Sequence, residues 1–195
     1  LAAWNNKPFV KVLLMFGLNM IVFMPVFTIY VTQYGLRELG MIDASAATIA
    51  IFMQVIKIGM GGFVGHWVDK FSAKRVATIV PLFGCLSLLP VLLIHNQYAV
   101  YATMGMSALF LTAMWASFFA LIYGLPSPEN RSGHYTVQLM FSNLAGAVGP
   151  IIAGVMCDRW SYRPTFLALA VASLGIAWLS KQMLSSVSAN AADYA

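Results

Sequence analysis

Six stretches of this chain stay apolar for about twenty residues at a time, approximately 9–31, 46–66, 76–94, 98–124, 134–156 and 165–184. A helix advances about 1.5 Å per residue, so roughly 20 residues cross a hydrocarbon core about 30 Å thick. Lipid offers no water to backbone N–H and C=O groups, so a long apolar span must satisfy them internally as a helix. The pattern therefore predicts an all-α integral membrane protein with six transmembrane helices in residues 1–184, followed by a cytoplasmic tail at 185–195. The breaks between runs, "YGLRELGMIDAS", "GHWVDKFSAKRV", "HNQ", "LPSPENRSG" and "CDRWSYRP", hold the Gly, Pro, Asn, Ser and charge expected of turns. The fourth run exceeds what a span requires, which predicts tilt or extension beyond the bilayer.

Composition agrees: 61% of residues are hydrophobic and 9% charged, with a mean hydropathy of +0.81, beyond the range of soluble domains. The net charge of +5 lies in the gaps between runs, which argues against a nucleic-acid surface. Lys7, Lys11, Lys70, Lys74, Arg75, Arg131 and Lys181 fall on one side of the membrane, and Arg37, Arg159 and Arg163 on the other. The excess places both termini in the cytoplasm, and a bacterial inner membrane is the expected location. Cys85 and Cys157 sit in separate apolar runs without metal-ligand spacing, so they read as packing residues, and no metal or cofactor is expected.

One loop gathers charge beyond what orientation needs. In "GHWVDKFSAKRV", Lys70, Lys74 and Arg75 serve as topology signals, but acidic residues contribute little to orientation and Asp69 is unexplained. Gly65, Asp69, Lys70, Lys74 and Arg75, placed after the second span, resemble the loop motif of the major facilitator superfamily of secondary transporters. Ser72 stands where that family usually has Gly, and Ala73 where an extra basic residue is common. In the fifth span Gly149, Pro150, Ala153 and Gly154, followed by Tyr162, Arg163 and Phe166, resemble the family's glycine–proline helix and its extracellular aromatic–Arg step. Ala153 replaces one Gly of that motif, and Ala145 stands where another is typical in antiporters. "PSPENR" resembles the link between the fourth and fifth helices.

The resemblance implies a secondary active transporter that moves a small-molecule substrate by alternating access. Six helices would make one half, built as 3+3 helix repeats, with a second six-helix half upstream or on another chain. Leu1 in place of Met, and the linker-like "NNKPFVKVLL", favour the carboxyl-terminal half. The resemblance also gives Asp69 a role as a conformational latch, holding backbone N–H groups of a neighbouring helix or pairing with Arg75. A simple cap of the loop is the other reading.

Away from the span ends, where Lys11 and Lys181 lie, Lys57 is the one formally charged side chain, and it sits roughly 14 Å from either surface, beyond the reach of its stem. A lysine there costs about 2.5–3.5 kcal/mol on insertion scales and usually faces a cavity or partner. Gln54, Lys57, Gly61 and Gly65 share a helical face. Lys57 and Gln54 are thus candidates for substrate or coupling contacts, with Lys57 bound to backbone carbonyls as the alternative. Asn19, Trp115, Gln138, Ser142 and Asn143 are further candidates on spans that line the cavity in the resembled family, although the polar ones could equally bond between helices. Gly146, Gly149 and Gly154 read as close-packing positions, and Pro25 and Pro90 as kinks or span ends. Glu38, Asp43, Asp69, Glu129, Asp158 and Asp193 all fall outside the spans, so the half leans toward an anionic or zwitterionic solute.

A six-helix channel or scaffold is an alternative function. An intramembrane hydrolase is less favoured: Gly105-Met106-Ser107 offers a partial G-x-S, but His66, His95 and His134 lie near span ends, away from a dyad position. No catalytic residues are assigned.

Overall fold

The computed structural model describes residues 2–187. After a short helix α1 (Ala2–Asn5), the chain forms α2 (Lys7–Pro25), a π-helical segment (Val26–Tyr30) and α3 (Val31–Glu38) as one continuous rod. Then come α4 (Ala44–Phe71), α5 (Ala73–Leu93), α6 (Gln97–Gly124), a 3-10 turn (Pro128–Asn130), α7 (Arg131–Trp160) and α8 (Tyr162–Ser185). Six of these, counting the rod once, are long and apolar enough to cross a membrane. Of the tail expected from residue 185, residues 188–195 lie outside the described range.

Most helices run past the apolar stretch that announced them. The first, expected at 9–31, continues to Glu38, because Gln33, Arg37 and Glu38 leave the hydrocarbon without leaving the helix. Hydropathy measures the lipid slab, whereas backbone hydrogen bonding continues until a terminator, here Gly40 at φ 66. At the other end, Asn6 caps α2, its side chain accepting from the Phe9 N–H at 3.1 Å.

Aromatic residues spaced by seven run along the inner face of the rod. Phe9, Phe16 and Phe23 are fully buried, with Phe27 and Tyr34. Phe23 and Phe27 meet Phe110 of α6 at 4.6 and 5.5 Å between ring centroids. Lipid tails are as apolar as these rings, so close packing rather than escape from water holds the helices together. Burial is uneven: 61% of the rod's most apolar window is buried, against 17% for α4 and 22% for α7. Those two helices leave broad faces without neighbours.

Contacts at the two ends show how the spans alternate. At one end Lys11 Nζ donates to Ser186 Oγ and Lys74 Nζ donates to the carbonyls of Ser185 and Val187. At the opposite end Tyr34 is hydrogen-bonded to His95, Tyr162 to Gln33 and Arg163 to the Leu92 carbonyl. Two helix junctions consist of a single residue in the left-handed region: Ser72 (φ 69, ψ 139) and Ser161 (φ 66, ψ 178). Ser72 thus adopts the backbone that glycine adopts more readily. Its hydroxyl offers the Arg75 N–H a long contact of 3.5 Å.

Candidate functional site

Polar side chains in apolar helices must find partners or a wet cavity, and α7 does both. Ser142 Oγ donates to the Gln138 carbonyl at 2.8 Å and accepts from Gln138 Nε2 at 2.9 Å. With the serine proton given to the backbone, the amide turns its nitrogen toward Ser142. Gln138 Oε1 is left buried with no partner among the described residues. An unsatisfied buried acceptor costs about 1–3 kcal/mol, so it is a place where a ligand donor would be rewarded.

Gln138 lines a groove of about 390 Å³ between α2, α6 and α7, together with Trp115, Phe119, Tyr135, Asn143 and Gly146. One wall is aromatic: Trp115 and Phe119 meet at 4.9 Å, both packed against Phe16 of α2. Tyr135 extends that wall, stacked 6.1 Å from Tyr123. Asn143 is exposed on the groove. The arrangement suits a small body held against an aromatic wall, with a hydrogen-bond donor toward Gln138.

The sequence candidates divide here. Trp115, Gln138, Ser142 and Asn143 come together. Asn19 does not: it is buried, and its Nδ2 donates to the Met15 carbonyl at 2.8 Å, with Oδ1 unpartnered. Gln54 and Lys57 lie on α4, whose residues do not line the groove; Gln54 is exposed and Lys57 half-buried. Lys57 makes no hydrogen bond or ion pair among the described residues, and a Cβ added at Gly61 or Gly65 would meet none of them within 4 Å, so that end of the stripe is open. Polarity alone could not separate these residues, because it registers a cost without showing where it is met. Tyr135 and Phe119 were overlooked, although Trp115, Phe119 and Tyr123 follow a visible spacing of four.

The fifth-span glycines have distinct surroundings. A Cβ on Gly149 would lie 2.7 Å from the Ile21 carbonyl oxygen and 3.2 Å from Pro25. Ile21 is four residues before Pro25, which has no N–H to give it, so the freed carbonyl sits against Gly149. Tyr30, on the π segment, donates to the Pro150 carbonyl at 2.8 Å. A Cβ on Gly154 would come within 2.7 Å of that hydroxyl. Gly146 differs: nothing lies within 4 Å of its would-be Cβ, and it borders the groove instead of a packed helix.

In the loop motif, Asp69 is exposed and forms no ion pair among the described residues, with Arg75 or any other cation. Lys70 lies over the Phe71 ring at 5.7 Å. Lys74 anchors the loop, bonding Ser185 and Val187 at the end of α8 at 3.2 and 2.7 Å. The motif is also duplicated. Gly65, Asp69, Lys70, Ser72 and Lys74 recur 89 residues later as Gly154, Asp158, Arg159, Ser161 and Arg163. The copies match in backbone, both serines lying at positive φ. They match in contact too: Lys74 caps the end of α8, and Arg163 caps the end of α5 through Leu92. The α5–α8 pair is thus clamped reciprocally at both ends. This repeat was legible as G-x-x-x-D-[KR]-aromatic-S-x-[KR].

The partial G-x-S does not form a nucleophile: Ser107 is buried and its hydroxyl donates to the Met104 carbonyl. Among the described residues no cluster of His, Cys, Asp or Glu could hold a metal. Comparison with curated proteins finds no match. The family model described as the Major Facilitator Superfamily matches residues 9–185, and with its six membrane-spanning helices the chain belongs to that superfamily of secondary transporters.

Proposed function

We propose that the chain is one half of a secondary transporter that carries a small zwitterionic solute by alternating access. The observation that carries this reading is the groove with its unpartnered Gln138 Oε1. That oxygen would accept from an ammonium or other N–H donor, while Trp115, Phe119 and Tyr135 would flank the solute's cationic or apolar part. Lys57 would meet the solute's anionic group from the face of α4 that is open to the second half. An anionic solute remains within the class if Lys57 dominates.

A second half supplied upstream or by another chain would cover the exposed faces of α4 and α7 and close the solute between them. Both termini would lie in the cytoplasm, in keeping with the basic end of the bundle, and a bacterial inner membrane is the proposed setting. Asp69, exposed and without an ion-pair partner among the described residues, would serve as a latch by accepting hydrogen bonds from the second half in one conformation.

Membrane vesicles carrying the complete transporter test the reading with labelled anionic, zwitterionic and cationic solutes. Lys57→Gln should abolish transport of solutes bearing an anionic group, and Gln138→Met should raise KM at least tenfold for those bearing an N–H donor. Unchanged zwitterion uptake in both variants would reject the assignment.

A further inference from the structure

A second, larger groove, of about 840 Å³, opens at the basic end of the bundle, between the end of α4, the start of α5 and the end of α8. Its walls carry Trp67, Phe71 and Ile79, all substantially exposed, and its rim carries Lys74, Arg75 and Lys181. These helices contribute nothing to the Gln138 groove, which is built from α2, α6 and α7.

The charges are arranged, not scattered. Lys74 is spent on the carbonyls of Ser185 and Val187, which draws the α4–α5 turn onto α8. That contact brings Arg75 and Lys181 to one rim, where neither side chain makes a hydrogen bond or ion pair among the described residues. The groove's lining contains no acidic residue; Asp69, on the neighbouring turn, is absent from it. Two exposed cations thus stand above an apolar, partly aromatic floor, at the level where three spanning helices leave the hydrocarbon. An amphiphile with an anionic head and acyl chains matches both halves of that surface, and basic pockets between membrane helices favour anionic lipid headgroups.

We infer that this groove binds an anionic phospholipid, its phosphate between Arg75 and Lys181 and an acyl chain along Trp67, Phe71 and Ile79. At the strength typical of interfacial cations, each contributes roughly fivefold to affinity, and the pair about thirtyfold. None of its lining residues belongs to the Gln138 groove.

Trp67 supplies the probe. The purified full-length protein, in mixed micelles, is titrated with brominated phosphatidylglycerol or brominated phosphatidylcholine, and the fluorescence quenching lost in Trp67→Phe is followed. Phosphatidylglycerol should quench that component at a mole fraction about thirtyfold lower. Arg75→Gln with Lys181→Gln should remove the preference, Arg75→Lys with Lys181→Arg should retain it, and Lys7→Gln with Lys11→Gln should not change it. If the double glutamine variant fails to fold, Lys181→Gln alone should cost about fivefold. Equal quenching by the two lipids, a preference that survives loss of both cations, or no quenching of Trp67 by either lipid would overturn the inference. So would displacement by millimolar inorganic phosphate, which would mark a free-anion site instead of a lipid site.

Discussion

Gly146 and Gly149 lie less than one helical turn apart on α7, and alanine at each should have opposite consequences. At Gly149 the added Cβ would stand 2.7 Å from the Ile21 oxygen and 3.1 Å from its Cα. Both are backbone atoms of a packed helix, so relief requires α2 and α7 to separate by several tenths of an ångström. Such overpacking costs about 1–3 kcal/mol, and the better helix propensity of alanine returns up to about 1 kcal/mol. The separation would also strain the Tyr30–Pro150 hydrogen bond, 2.8 Å long. A net loss of about 1–2 kcal/mol is expected, a midpoint fall of roughly 3–6 °C for a chain of this size. At Gly146, with nothing within 4 Å, only the propensity gain operates, and the midpoint should hold or rise by a few degrees. Thermal unfolding of both variants in the same detergent, followed by fluorescence-detected size exclusion at one heating rate, makes the comparison. Gly149→Ala as stable as the parent, or Gly146→Ala as damaging as Gly149→Ala, would refute the assignment of the α2–α7 contact to Gly149.

Three further changes probe the turns. Ser72→Gly relieves a left-handed serine at a cost of only a 3.5 Å cap, so stability should rise by about 1 kcal/mol in the same assay. Arg163→Gln removes the cap on the Leu92 carbonyl; stability should fall by about 1 kcal/mol, and hydrogen exchange should quicken at residues 92–96 while the ends of α2 stay protected. Asp69→Asn, which preserves shape but removes charge, should shift the ratio of inward- to outward-open populations measured by spin-label distances, with the thermal midpoint unchanged; an unmoved ratio would reduce Asp69 to a loop cap.

The helices were legible because lipid imposes a simple length rule on apolar sequence, and their ends were not because polar residues such as Gln33 and Arg37 continue the helix outside the lipid. Pro25 announced a kink, but the π segment after it, and the freed Ile21 carbonyl lying against Gly149, depend on which helix arrives there. The site was half legible. Trp115, Gln138, Ser142 and Asn143 stood out as polar or amphipathic groups in apolar spans and share a groove. Asn19 carried the same signal and spends its N–H on its own helix. Lys57 was conspicuous for its cost, yet its half-buried place on α4, away from the Gln138 groove, depends on tertiary arrangement. The duplicated G-x-x-x-D motif could have been read directly, and it foretells the paired serine turns and the reciprocal caps of α5 and α8.

A solute path through the Gln138 groove requires that groove to open alternately to each side of the membrane. A single cysteine at Asn143, exposed on that groove, with Cys85 and Cys157 replaced by serine, reports this through a membrane-impermeant thiol reagent applied from either face of sealed vesicles. Labelling should occur from both faces, shift between them when Asp69→Asn is added, and be suppressed by a transported zwitterion. Labelling from one face only, indifferent to solute and latch, or from neither, would contradict it.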